Sequence, residues 1–282
     1  MTHQNTYLLI YMQNKNGPPF EFPGRSYLTS IEDSLQVTTT HSGFAVVTGS
    51  SSGIGLAVTS ALLRLGVKVL AMSRKKGELE PLLSHYGQQL IWCQGDVTQA
   101  SDLDKLAALA KQIGPVDYLV PNAGIAQLGD SLDAEAFNRQ WAVNGAGALN
   151  TLAVLRNQLA SQASVVFIAT FLSAISFPGL AAYIASKSAL KAHARTLAVE
   201  LARAGIRINL VSPGPTATPI WGSLGLDQSS LDSVATSVCQ RLLTGKFLDA
   251  SAVADAILFL LSDAARGIYG QDLIVDAGFT LS

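Results

Sequence analysis

What most restricts the fold of this chain is an alternation that begins at Gly43. Short, largely apolar segments, at residues 44–47, 67–72, 90–93, 116–120, 164–169, 206–211 and 272–275, read as strands. Between them, residues 54–65, 101–113, 137–155, 183–204 and 252–262 carry helical spacing. A strand that is apolar along most of its length, without alternation, is buried on both faces, and parallel strands require crossovers. The expectation is therefore an α/β single domain. Its core is a doubly wound parallel sheet of about seven strands with helices on both faces. A hydrophobic fraction of 49% over 282 residues supports so large a core. The charged fraction of 14% is low for a monomer's surface and suggests apolar surface buried between subunits.

Other classes are disfavoured. A net charge of −1 argues against nucleic acid as a main partner. No segment reaches the roughly 20 apolar residues of a membrane span. The two cysteines, Cys93 and Cys239, read as ordinary thiols. The scattered histidines His3, His41, His85 and His193 have no metal-type spacing, so no metal is expected. Residues 1–42 differ in composition, with breaks at Gly17-Pro18-Pro19 and Pro23-Gly24. They read as a poorly ordered leader or as an arm docked on a neighbouring subunit. They lack a secretory n-region and h-region, which makes the cytoplasm the default location.

Thr48-Gly49-Ser50-Ser51-Ser52-Gly53-Ile54-Gly55 joins the first strand to the first helix. Gly49 suits a tight turn, Gly53 a close approach of backbone to a pyrophosphate, and Gly55 close helix–strand packing. Phosphates would sit at the helix N-terminus with Ser51, Ser52 and Ile54 around them. The spacing is Gly-x-x-x-Gly-x-Gly, so a glycine loop without a ligand is the competing reading. After the second strand comes Ser73-Arg74-Lys75-Lys76, where NAD binding would favour an acid on the ribose. Cations there suit a 2′-phosphate, so NADP(H) is favoured over NAD(H). Asp96, in Gly95-Asp96-Val97, could accept from an adenine amino group with Val97 beneath the ring, or serve as a turn aspartate. Asn122-Ala123-Gly124 would let backbone lie against the cofactor, or be a plain turn.

The chemical residues come later. Tyr183 and Lys187, in Tyr183-Ile184-Ala185-Ser186-Lys187, are one helical turn apart and share a face. An ammonium and a cationic nicotinamide nearby would lower the phenol from its usual pKa near 10 and let it move a proton. Lys187 could also hold ribose hydroxyls. Thr170, at the end of the preceding strand, could polarise a substrate oxygen, and Asn144 could carry a water relay to Lys187. A capped strand end and a core amide are the structural alternatives.

This ordered set resembles the classical short-chain dehydrogenase/reductase family over residues 43–282. The matching pieces are Thr48 to Gly55, Gly95-Asp96-Val97, Asn122-Ala123-Gly124, Asn144, Tyr183 to Lys187, Pro213-Gly214 with Thr218, and Gly270-Gln271-Asp272 to Val275-Asp276-Ala277-Gly278. The resemblance implies a Rossmann-like domain, hydride transfer with a nicotinamide cofactor, and a homotetramer or homodimer. It implies that Tyr183 is the acid/base, that Lys187 tunes it and binds ribose, and that Asn144 supports a relay. Pro213, Gly214 and Thr218 would border the carboxamide, and residues 215–246 would form the substrate lid. Thr170 stands where the family usually has serine, with Ser173 as a substitute; Pro121 and Ala277 replace a usual Asn and Gly. The connection 157–163 before the strand of Thr170 looks trimmed.

Trp221, Leu224 and Leu226 with Phe171, Leu172 and Phe177 suggest a hydrophobic ketone, aldehyde or alcohol as substrate. No Arg or Lys lies between Ala169 and Ala185 or between Val211 and Gln240, which disfavours a strong anion beside the reacting carbon. Two competing expectations remain. One is a dinucleotide-binding regulatory protein without turnover. The other is a family member recruited to a non-redox isomerisation or elimination.

Overall fold

The computed structural model describes residues 43–281. The expectations for residues 1–42 lie outside the described residues. Seven parallel strands form one sheet: β1 (Phe44–Thr48), β2 (Lys68–Ser73), β3 (Leu90–Gln94), β4 (Val116–Pro121), β5 (Leu159–Ile168), β6 (Arg207–Pro213) and β7 (Asp272–Val275). Their order across the sheet is β3-β2-β1-β4-β5-β6-β7, the doubly wound arrangement expected. The chain reverses its direction of travel between β1 and β4. That switch point opens a crevice at the carboxyl ends of the strands, where such folds bind ligands.

The period-two alternation of each strand sorts its side chains between two cores. Val46 of β1 points to one face, with Leu106 of α3 (Ala100–Ile113), Leu152 of α5 (Ala148–Leu155) and Leu190 of α6 (Ala181–Ala202). Ala45 and Val47 point to the other, with Val58 and Leu62 of α1 (Gly53–Arg64) and Ile257 of α8 (Ala250–Leu261). Each fully buried Leu or Ile there contributes roughly 1.5–3 kcal/mol of transfer free energy.

Two polar devices fix the far side of the sheet. Arg207, 7% exposed at the start of β6, donates to the carbonyls of Leu260, Leu261, Ser262 and Ala265 at 2.8–3.1 Å. Its guanidinium thus ties the end of α8 to the 3-10 turn that follows it, Asp263–Ala265. Asp272 of β7 accepts from Lys191 Nζ and from Ser212 Oγ, each at 2.6 Å, and ties the edge strand to α6.

The structure corrects several boundaries. The helix expected at 137–155 begins earlier, as α4 (Ala134–Trp141), because Asp133 caps it by accepting from the N–H groups of Glu135 and Ala136. It then loosens into a π-helical segment, Ala142–Gly147, before continuing as α5. There is no loop over 157–163: one 3-10 turn, Arg156–Gln158, leads directly into β5. Its polar start, Ser161-Gln162, hid those first residues from an apolar-run criterion. Two helices lacked a clear apolar stripe and went unanticipated. They are α2 (Glu80–Tyr86) and α7 (Gln228–Arg241), the second lying within the lid region.

Candidate active site

The glycine turn between β1 and α1 is shaped by contacts rather than by flexibility. Gly49 has φ +65°, and a Cβ there would lie 2.7 Å from Ala123 Cα. A side chain at Gly55 would overlap the Gly49 carbonyl. Asn122 locks the turn from the neighbouring strand: its Nδ2 donates to the Thr48 and Gly49 carbonyls at 3.1 and 3.0 Å. The β1–α1 turn and the end of β4 therefore form one floor.

A cleft of about 770 Å³ opens above that floor. Gly49, Ser51, Ser52, Gly53, Ile54, Ser73, Arg74, Lys75, Asp96, Val97, Asn122, Ala123, Gly124, Pro213, Gly214 and Thr218 all line it, as do Thr170, Tyr183 and Lys187. Of the expected site residues, Gly55 lies beneath the floor and Asn144 behind the wall. The glycine cradle, the exposed N–H groups of α1 and the long cleft fit a dinucleotide.

Details refine individual expectations. Arg74 and Lys75 are exposed at the rim. Lys76 turns aside to Glu80 at 3.2 Å and sits over the Trp92 ring, so two of the three cations serve the cleft. Ser73 Oγ donates to the Lys75 carbonyl and accepts from Trp92 Nε1, which holds the loop's shape. Asp96 Oδ1 accepts from both Thr98 N–H and Thr98 Oγ1, as a turn aspartate does.

Tyr183 and Lys187 project from the first turns of α6 into the cleft, as their spacing requires. The Lys187 ammonium is buried, donates to the Ile168 carbonyl at 2.7 Å, and is pushed down to about 8 by desolvation. Tyr183 is half-buried, and desolvation pushes its phenol up from its ordinary value. Lys187 is not among the groups that shift it here. Among the protein's own groups, the opposing influence is a hydrogen bond with Thr170. A phenol kept protonated is a proton donor, the form a carbonyl reduction uses.

Thr170 Oγ1 accepts from the Leu172 N–H at 3.3 Å, so its proton is directed toward the cleft and Tyr183. Ser173 is not a substitute: its Oγ donates to the Thr170 carbonyl at 2.6 Å, and it does not line the cleft. Asn144 is fully buried, and its side chain is committed. Oδ1 accepts from Ile125 N–H, and Nδ2 donates to the Ile125 carbonyl and to Ser186 Oγ. The side chain therefore positions the loop after β4. Ser186, overlooked in the sequence, completes the link by donating to the Tyr183 carbonyl at 2.7 Å. Its place inside Tyr183-Ile184-Ala185-Ser186-Lys187 was the available signal.

The substrate end is apolar. Phe171, Leu172, Phe177, Trp221, Leu224 and Leu226 all line the cleft. Ser223 Oγ donates across its mouth to the Ala126 carbonyl at 2.9 Å. No cluster of His, Cys, Asp and Glu able to hold a metal occurs among the described residues. None of the described helices is long and apolar enough to cross a membrane.

A nucleotide cradle that leads to a Tyr–Lys pair and an apolar chamber defines a class: an NAD(P)-dependent oxidoreductase with a doubly wound domain. A family model described as Enoyl-(Acyl carrier protein) reductase matches residues 49–280. The chain is 36% identical over 251 residues to a 2-(R)-hydroxypropyl-CoM dehydrogenase of Xanthobacter autotrophicus, covering 84% of this chain and 98% of that one. It is 31% identical to Carbonyl reductase [NADPH] 2 of Sus scrofa, covering 84% and 96%. A short chain dehydrogenase family protein from Francisella tularensis superposes with a TM-score of 0.75 at 25% identity, covering 86% of this chain and all of that one. The chain belongs to the classical short-chain dehydrogenase/reductase family, and it is an oxidoreductase of the alcohol–carbonyl type.

Proposed function

We propose that this enzyme interconverts a hydrophobic ketone or aldehyde with its alcohol, using NADP(H) in preference to NAD(H). The carrying observation is the Thr170–Tyr183 hydroxyl pair set between the glycine cradle and the apolar chamber. Thr170 and Tyr183 hold the carbonyl oxygen, and Tyr183 Oη gives it a proton as the alcohol forms. The coenzyme, when bound, supplies or accepts the hydride. Lys187 holds positive charge beside the ribose site and returns a proton toward Tyr183. Residues 215–246 form the lid, with Trp221 and Leu224 excluding water from the reacting carbon. A carbonyl reductase among the relatives carries NADPH in its name, in accord with this reading.

Arg74 and Lys75 support the NADP(H) preference, since both are exposed at the rim and neither forms an ion pair among the described residues. The double variant Arg74→Ala/Lys75→Ala is expected to lose at least tenfold in NADPH affinity with little change for NADH, read by fluorescence titration. Equal losses for both coenzymes overturn the preference. Tyr183→Phe is expected to bind coenzyme normally and to lose about 10²–10⁴-fold in turnover. Wild-type turnover of a ketone panel by that variant, followed through NADPH absorbance, rules out the proton-donor role.

We also infer a cytoplasmic homo-oligomer. The edge strand β7 leaves Leu273 and Ile274 about 40% exposed (39% and 42%), with Tyr269 beside them. An open apolar strand edge favours pairing with a second copy.

A further inference from the structure

Arg74 and Lys75 stand on the short loop that joins β2 to the 3-10 turn Gly77–Leu79. Both are exposed, and neither is held by an ion pair among the described residues. The backbone beneath them is nevertheless fastened from outside. Ser73 Oγ, buried at the end of β2, accepts from Trp92 Nε1 at 3.0 Å and donates to the Lys75 carbonyl at 2.8 Å. The Arg74 carbonyl accepts from Gln94 Nε2 at 3.2 Å. Just past the loop, the Glu78 N–H donates to the Ser51 carbonyl at 3.1 Å and ties it to the glycine turn. Trp92 and Gln94 both belong to the edge strand β3, and neither lines the cleft. Trp92 acts a second time through its ring face. Lys76 Nζ lies 5.5 Å from the ring centroid while pairing with Glu80 at 3.2 Å. The indole edge thus holds the loop that carries two cations to the rim, and its face keeps the third aside. The ring itself is half-buried and packed against the core on the α1 face of the sheet, so the fold sets its position.

We propose that Trp92 and Gln94 are positioning residues for coenzyme choice: by fixing the loop from β3 they present Arg74 and Lys75 to a ribose 2′-phosphate, and the preference for NADP(H) depends on them. A phosphate that meets charges already in place does not bear the cost of ordering the loop. Its hydrogen bonds from a guanidinium and an ammonium also need the donors held in direction. A coenzyme with only a hydroxyl at that position gains nothing from those charges, so a loosened loop leaves its affinity unchanged. The proposal rests on the NADP(H) reading for the identity of the group met at the rim. It goes beyond that reading in assigning the discrimination to two side chains that touch no part of the cleft.

The probes are adenosine 2′,5′-bisphosphate and adenosine 5′-monophosphate, which differ only in the 2′-phosphate, titrated into the full chain by calorimetry. The wild type is expected to bind the bisphosphate tighter by about tenfold or more. Trp92→Phe keeps an aromatic face for Lys76 and removes the N–H. Its ratio should fall about fivefold, with affinity for the monophosphate held within about twofold. Gln94→Leu, at an exposed position, frees the Arg74 carbonyl and should lower the ratio by about threefold. Lys76→Met should change it by less than about twofold, because that cation is turned from the rim. An undiminished ratio in Trp92→Phe and Gln94→Leu, with native circular dichroism, overturns the proposal, and so does an equal loss of both nucleotides. Should Trp92→Phe not fold, an undiminished ratio in Gln94→Leu overturns it alone. A wild-type ratio near one sinks the NADP(H) reading and this proposal with it. A high wild-type ratio that survives both variants sinks the proposal and leaves the reading standing, so the two failures are distinguishable.

Discussion

Replacing Lys187 with Met tests whether its buried ammonium is held at a cost to the fold. Burial pushes that group from 10.5 down to about 8 in the folded protein, while the unfolded chain keeps the ordinary value. Below pH 8 both states carry the proton, and the folded state bears the whole desolvation cost. Between pH 8 and 10.5 the folded chain has released it and the unfolded chain has not, so stability rises with pH across that window. A shift of this size corresponds to roughly 3 kcal/mol, of which about 2–3 kcal/mol is recovered between pH 7 and pH 10. Lys187→Met also leaves the Ile168 carbonyl without its donor, a pH-independent loss of about 1–3 kcal/mol. The informative quantity is therefore the difference between wild type and variant as a function of pH, in which other titrating groups cancel. Urea unfolding of both proteins at four pH values between 7 and 10 measures it. The wild type should gain on the variant by about 2–3 kcal/mol as pH rises. A difference that stays flat across the series would show that the ammonium is not desolvated as the buried geometry requires.

Two further expectations concern the scaffold. Arg207→Met removes a donor shared by four carbonyls at the end of α8 and in the turn after it, and should lower unfolding free energy by roughly 2–4 kcal/mol, seen as a drop in the urea midpoint. A loss under about 1 kcal/mol would mean water replaces the guanidinium there. Ala277 has φ +48°, the only non-glycine residue with positive φ among the described residues. Ala277→Gly should raise stability by about 1 kcal/mol, since relief of left-handed strain slightly exceeds the added unfolded-state entropy. Thermal unfolding reads this directly, and a lower melting temperature would contradict it.

Much of this was legible in the chain because the signals are local. Apolar runs of strand length between helical periods specify a parallel sheet wherever the helices land. The four-residue step from Tyr183 to Lys187 places both on one helix face. Gly49 and Gly55 declare a tight strand-to-helix turn. What the sequence left undecided depends on how the chain is folded around each group. The partners of the Asn144 side chain, Ile125 and Ser186, cannot be read from its place in the chain. Ser173 and Thr170 were interchangeable as hydroxyls until the turn after β5 bent one onto the backbone and aimed the other into the cleft. Direction of a pKa shift is likewise a property of burial: at Tyr183 desolvation by the surrounding walls outweighs the hydrogen bond with Thr170. Periodicity and turn chemistry act between neighbours in sequence, so they can be read from letters. Solvent exclusion and hydrogen-bond choice are set by residues 19 to 42 positions away in this site, and only the packed chain brings them together.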